Sequence, residues 1–156
     1  MDNRYLYKAK RKDNGEWVEG IPIKTHIGLF ICFEENPHYC SQYGYMEIDE
    51  IIIADENTLC QCTGLTDKND ELIWENDIVK FEDTGEEGYE CKEGFDYINR
   101  AKVVWNKGRF ELDSFLSNNS GTLELMNSSP EEFYDMFEEY AEVIGNIFDN
   151  PSLLEP

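Results

Sequence analysis

The sequence predicts a mainly β fold with one or two short helices, folded as a small, strongly bent barrel behind an N-terminal β-hairpin. Three observations carry that expectation. Asn14-Gly15 lies between two β-prone runs, the strongest short-range hairpin signal. Thr63 to Val79, TGLTDKNDELIWENDIV, alternates short apolar runs with two polar turns. One segment, beginning at Ser129, repeats its apolar residues at helical spacing.

In chain order, Arg4 to Lys12 and Glu16 to Ile21 form the arms of the first hairpin, turning at Asp13-Asn14-Gly15. Trp17 beside Val18 suggests a strand with an aromatic face turned inward. Lys8, Lys10 and Lys12 alternate, which puts three cations on one strand face. That pattern suits an edge strand guarded by lysines better than a nucleic-acid stripe. Residues 27–33, IGLFICF, read as a buried strand, and Glu47 to Ala54 as another centred on Ile51-Ile52-Ile53.

The central stretch has a polar turn at Asp67-Lys68-Asn69-Asp70 and a tight corner at Glu75-Asn76-Asp77. Asp and Asn favour such places because their side chains bond nearby backbone and tolerate left-handed dihedrals. Asp67, Asn69 and Glu71 alternate like the start of an EF-hand loop. The sixth position is Leu72 and the twelfth Ile78, so the calcium ligand set fails and a structural turn is expected. Glu75 and Asp77 could be imagined as an acid–base pair, but no histidine or activated nucleophile accompanies them.

Residues 82–99 read as a long acidic loop holding Tyr89, Phe95 and Tyr97. A second hairpin follows, Arg100 to Trp105 and Arg109 to Leu112 around Asn106-Lys107-Gly108. Asp113 to Met126 gives no clear period beyond a short strand at Leu123-Glu124-Leu125. A helix near 130–139 is expected, with Ser129 as N-cap, Pro130 at the first position and Glu132 completing a capping box. Phe133, Met136, Phe137 and Tyr140 form its apolar stripe, read as core packing. Ala141 to Phe148 reads as a closing strand, and Asn150 to Leu154 as a final turn.

The 156 residues suffice for one domain, read as an N-terminal β subregion over 1–57 and a barrel over 58–156. Charge is the outlier: 13 basic against 34 acidic residues give −21. Residues 1–26 hold six basic residues and four acidic ones, +2, which leaves −23 on the remainder. Phosphate binding needs clustered lysine and arginine, so direct nucleic-acid binding is disfavoured. The asymmetry suits head-to-tail self-association or a basic protein partner.

Met1-Asp2-Asn3-Arg4 opens on charge, and no apolar run reaches membrane-spanning length, so a soluble, cytoplasmic protein with reduced cysteines is expected. Cys60 and Cys62 flank Gln61 and read as core thiols. Cys32, His38 and Cys40 match no zinc spacing. No cofactor loop, metal set or catalytic residue is predicted.

Three motifs resemble one family in their order along the chain. They are the hairpin with Gly15, Trp17-Val18 and Gly20, the TGLTDKNDELIWENDIV stretch, and EVIGNIFDNPSLL from Glu142 to Leu154. Together they resemble the YopX proteins of phages and prophages. Asn76 and Asp70 stand where that family usually has glycine, and both tolerate left-handed geometry. The resemblance implies a mainly β fold with an SH3-like small β-barrel, a phage origin and hence the host cytoplasm. It brings no catalytic residues. The expectation is a non-enzymatic accessory protein that binds a host or phage protein, or a further copy of itself. The alternative is an acidic DNA mimic that inhibits a host nucleic-acid-binding protein.

Overall fold

The computed structural model describes residues 3–33, 37–40, 42–48, 50–85 and 96–155. The chain divides into two compact units, Met1–Cys62 and Thr63–Pro156.

In the first unit, β1 (Tyr7–Lys10) pairs antiparallel with β2 (Trp17–Thr25) in a register that sets Ala9 opposite Val18. β2 pairs with β3 (Gly28–Cys32). A separate two-stranded ribbon follows, β4 (Pro37–Cys40) with β5 (Tyr45–Ile48). β6 (Ile51–Ala54) then joins the outer edge of β3. The single strand expected over Glu47 to Ala54 is thus broken in two. A one-turn 3-10 helix at Glu56–Thr58 follows, started by Asp55, whose carboxylate accepts from the Asn57 N–H at 3.1 Å. β7 (Cys60–Thr66) leads out of the unit, its first residues lying against β1 with Gln61 opposite Tyr7.

β1 therefore lies between β2 and β7, and the edge-strand reading of its lysines is corrected. Alternation sends Ala9, Val18, Leu29, Ile31, Ile52 and Ala54 to one face, where they form the unit's core. The sheet curls until Arg11 bridges Ala54, with the Lys12 N–H on the Ile53 carbonyl at 3.0 Å. One bridge is no ladder, so β6 meets the end of β1 without sealing. The described strands form antiparallel sheets and no closed barrel; the mainly β expectation holds at that level.

In the second unit, the end of β7 meets β8 (Leu72–Trp74), where the Thr63 hydroxyl donates to the Ile73 carbonyl at 2.8 Å. β9 (Asp77–Thr84), β10 (Asp96–Asn106), β11 (Arg109–Asp113) and β12 (Glu142–Asn146) form a sheet in the order β11-β10-β9-β12. The acidic loop expected over 82–99 is strand at both ends. Residues 82–84 and 96–99 are paired strand, Asp83 opposite Tyr97, and residues 86–95 lie outside those described. The β10–β11 turn places Lys107 and Gly108 at φ 48° and 93°, the geometry a two-residue hairpin with right-handed twist requires.

Two helices cover one face of this sheet. α1 (Gly121–Ser128) is a helix where a short strand at Leu123–Leu125 was expected; the Ser120 hydroxyl caps it by accepting from the Leu123 N–H at 3.0 Å. α2 (Pro130–Tyr140) follows directly. The expected capping box does not form, because Ser129 already ends α1, donating its N–H to the Leu125 carbonyl at 2.8 Å. Phe133 and Phe137 pack with Ile73, Val79, Phe81, Ala101, Val103, Leu112 and Met126 in the core. A last 3-10 turn, Pro151–Leu154, ends the described chain.

Gly20 marks a forced close approach. A Cβ there would collide with the Cys32 carbonyl oxygen on the neighbouring strand and lie 2.9 Å from Ile31 Cγ2. A Gly20→Ala chain is expected to lose about 1–3 kcal/mol in denaturant unfolding. An unchanged midpoint would show that β2 and β3 separate freely.

Candidate interaction surfaces and the buried polar sites

The turn at Asp67 is structural. Asp67 is 3% exposed, and its carboxylate accepts from the N–H groups of Asn69 at 2.7 Å, Glu71 at 3.1 Å and Val143 at 3.0 Å. Burial alone would raise its pKa, but these backbone donors outweigh burial and hold it below the usual carboxylate range. The Lys68 N–H adds a bond to the Ala141 carbonyl at 3.0 Å, so the turn is stitched to the start of β12. Asp77, also buried, accepts from the Trp74 N–H at 2.8 Å and fixes the next corner. Asp70 and Asn76 sit at φ 63° and 68°, the left-handed positions read from the sequence.

A second buried carboxylate site was missed by sequence reasoning. Asp83 accepts from the Ser120 hydroxyl at 2.5 Å, Asn99 Nδ2 at 2.8 Å, and the backbone N–H groups of Thr122 and Thr84, each at 3.0 Å. Asn99, fully buried, also donates to the Ser117 carbonyl at 2.9 Å and accepts from the Ser117 N–H at 3.0 Å. Tyr97 donates to the Asn119 carbonyl. These bonds dock the 117–120 turn and the first turn of α1 on β9 and β10. A concavity of about 380 Å³ opens beside them, walled by Thr84, Leu125, Met136 and Tyr140. Its buried acid faces donors on every side and serves as a structural hub. The only advance signal was a lone acid at a core position of an alternating strand.

The metal and catalytic candidates separate. Glu75 is half-buried and Asp77 is spent on the Trp74 backbone. Cys32 is buried, and burial pushes its thiol pKa up, away from nucleophilic or metal-binding thiolate. The side chains of His38 and Cys40 lie outside the described residues. Among the described residues no three His, Cys, Asp or Glu side chains converge as metal ligands. No helix among them is long and apolar enough to cross a membrane.

What remains is surface. The registers place Lys8, Lys10, Trp17, Ile21, Ile23, Phe30, Ile51 and Ile53 together on the outer face of the first unit's sheet, opposite its core. Ile23, Phe30 and Ile53 form one cross-strand row, and Ile51 and Ile53 are 49% and 54% exposed. Trp17 is therefore turned outward, not inward as its pairing with Val18 suggested. The Lys8 and Lys10 ammonium groups sit 5.3 and 5.4 Å from its ring centre, two cation–π contacts. In the second unit the acids of α2 form the opposite kind of surface: Glu131, Glu132, Asp135, Glu138 and Glu139 are all exposed.

The YopX protein family matches residues 6–155, almost the whole chain. The chain belongs to the YopX family. No curated protein matches it. It is similar in fold to the crystal structure of protein EF1440 from Enterococcus faecalis, with a TM-score of 0.56 at 24% identity over 96% of each chain. The YopX match covers residues of both units, the Asp67 turn and the outward Trp17 among them.

Two predictions follow from the buried acids of this YopX chain, the first of them from the lowered Asp67 pKa. A depressed folded pKa contributes stability above the unfolded value, about 3.9 for aspartate, that is lost as pH falls through the folded value. Asp67→Ala is expected to cost about 1–3 kcal/mol at neutral pH and to flatten the acid limb of the stability profile, read by urea melts across pH. Asp83→Asn replaces an acceptor-only group with one that aims an NH₂ at donors. It is expected to cost about 1–3 kcal/mol and to expose the α1 amides to hydrogen exchange. Unchanged exchange at Thr122 and Leu123 would contradict the hub role.

Proposed function

We propose that this YopX protein is a non-enzymatic, cytoplasmic accessory protein of phages or prophages that holds a protein partner on the outer face of its N-terminal sheet. The observation that carries the reading is the row Ile23–Phe30–Ile53 with half-exposed Ile51 and Ile53, in a chain of net charge −21. Solubility explains abundant surface acids but not isoleucines left on an outward sheet face. The patch has an apolar row and, on the same face of β1 and β2, Lys8, Lys10 and Glu19, the composition of a protein-binding surface with a polar border. Its flat, ridged form suits a protein rather than a small molecule, which a deep concave pocket would take. On this reading the curled strands are an opened variant of an SH3-like barrel, with the outside of the sheet, rather than its interior, in contact with the partner.

The second reading is a DNA mimic, favoured by the five exposed carboxylates of α2, all on a helix with no lysine or arginine. It calls for a basic, nucleic-acid-binding partner whose grip weakens steeply with salt.

The test is affinity capture from host lysate at low and high salt, followed by binding of the purified partner to wild type and to Ile51→Asp/Ile53→Asp. A salt-resistant partner that binds the variant at least about tenfold more weakly supports the sheet-face reading. Equal binding by the variant refutes it. Partners that elute with salt and bind DNA would transfer the weight to mimicry.

A further inference from the structure

We propose that the occupant of this sheet face is a second copy of the chain, seated through the acidic outward side of α2. The proposal rests on the protein-binding reading above and names its partner. Charge complementarity carries it. The chain's cations are weighted to its N-terminal strands, with +2 over residues 1–26 against −23 on the remainder. On the face itself, Lys8 and Lys10 flank Trp17.

α2 has the matching deficiency. Glu131, Asp135 and Glu138 recur four and three residues apart, so they line one side of the helix over about 10 Å. Lys8 and Lys10, two residues apart on a strand, stand about 7 Å from each other on one side, within reach of that stripe. The helix has no basic residue in its last turn, yet Glu138 and Glu139 lie there, at the negative end of its dipole. Like charges four residues apart, Glu131 with Asp135 and Asp135 with Glu139, add to the strain. Cations from outside the helix relieve both effects. Tyr140, 48% exposed at the helix end, supplies an aromatic group to meet the isoleucine row.

A contact between two different surfaces of identical chains is head-to-tail. It closes into a ring or runs on as an open chain, according to the rotation between neighbours. Its apolar centre gives lifetime and its charges give register, so association weakens with salt without vanishing.

Sedimentation velocity of the full chain across a wide concentration range, at low and high salt, is the experiment. Wild type is expected to form concentration-dependent oligomers. Lys8→Glu/Lys10→Glu and Asp135→Lys/Glu138→Lys are each expected to weaken self-association by about tenfold or more. Mixed together, the two reversed chains should associate again, since each carries the other's complement. Both pairs of substitutions change exposed or half-exposed side chains, and circular dichroism confirms folding before each run. A monomeric wild type at every concentration, reversed chains that associate as wild type does, or a mixture that fails to associate would each overturn the proposal. If wild type is monomeric while Ile51→Asp/Ile53→Asp still loses a captured foreign partner, the binding-module reading stands and the second copy alone is excluded.

Discussion

Every carboxylate this chain takes out of water must be met by donors, and among the described residues the fold does this at three places. Asp67, Asp77 and Asp83 are each 3% exposed or less. An unpaired buried charge would cost several kcal/mol, far more than one turn can supply. None of the three is balanced chiefly by lysine or arginine in the bonds described. Backbone N–H groups and neutral side chains do the work: Asn69, Glu71 and Val143 for Asp67, Trp74 for Asp77, and Ser120, Thr122, Thr84 and Asn99 for Asp83. Asp67 and Asp83 therefore join segments distant in sequence, and Asp77 closes a local corner, in each case where backbone donors would otherwise lack partners. The central turn reaches β12 through Asp67, and α1 reaches the sheet through Asp83.

The same economy explains the surfaces. With backbone donors serving the interior, the few cations are left for outside use, and they are unevenly spent. Lys68 and Lys80 clasp Glu142 at 2.6 and 3.1 Å and hold its carboxyl below the usual range. Lys24 pairs with Glu56, and Arg11 with Asp13 at 2.7 Å, exposed pairs that contribute little stability. Lys8 and Lys10 also stand against the Trp17 ring. α2 has no cation of its own. A chain so divided presents complementary surfaces by composition, whether the partner is itself or another protein.

Much of the fold was legible where one residue type has one local use. Gly15 and Gly108 mark hairpin turns because few residues accept positive φ there. Asp70 and Asn76 could stand in for glycine for the same reason. The α2 stripe was visible because Phe133 and Phe137 lie one turn apart on the buried side. Other features were illegible for equally physical reasons. Thr122 to Ser128 is too short to hold a helix alone, and α1 is held because Ser120 caps it and Asp83 receives one of its first amides. Ser129 looks like a helix start in sequence, yet in the fold it is the end of the preceding helix. Trp17 and Val18 are both apolar and adjacent, so alternation requires one to face out without saying which.

The sequence by itself determined the family, the mainly β class, the positions of the turns, the strong negative charge and the second helix. Each depends on interactions within a few residues or on composition alone. The tertiary structure decided which strand lies beside which, and therefore that the lysines of β1 stand on an interior strand around an outward Trp17. It also decided that Asp83 would be a buried hub rather than one more acid of a loop. Strand neighbours and carboxylate partners are chosen by contacts across dozens of residues. No local pattern encodes such contacts, because desolvation and pairing are settled only when the distant groups meet.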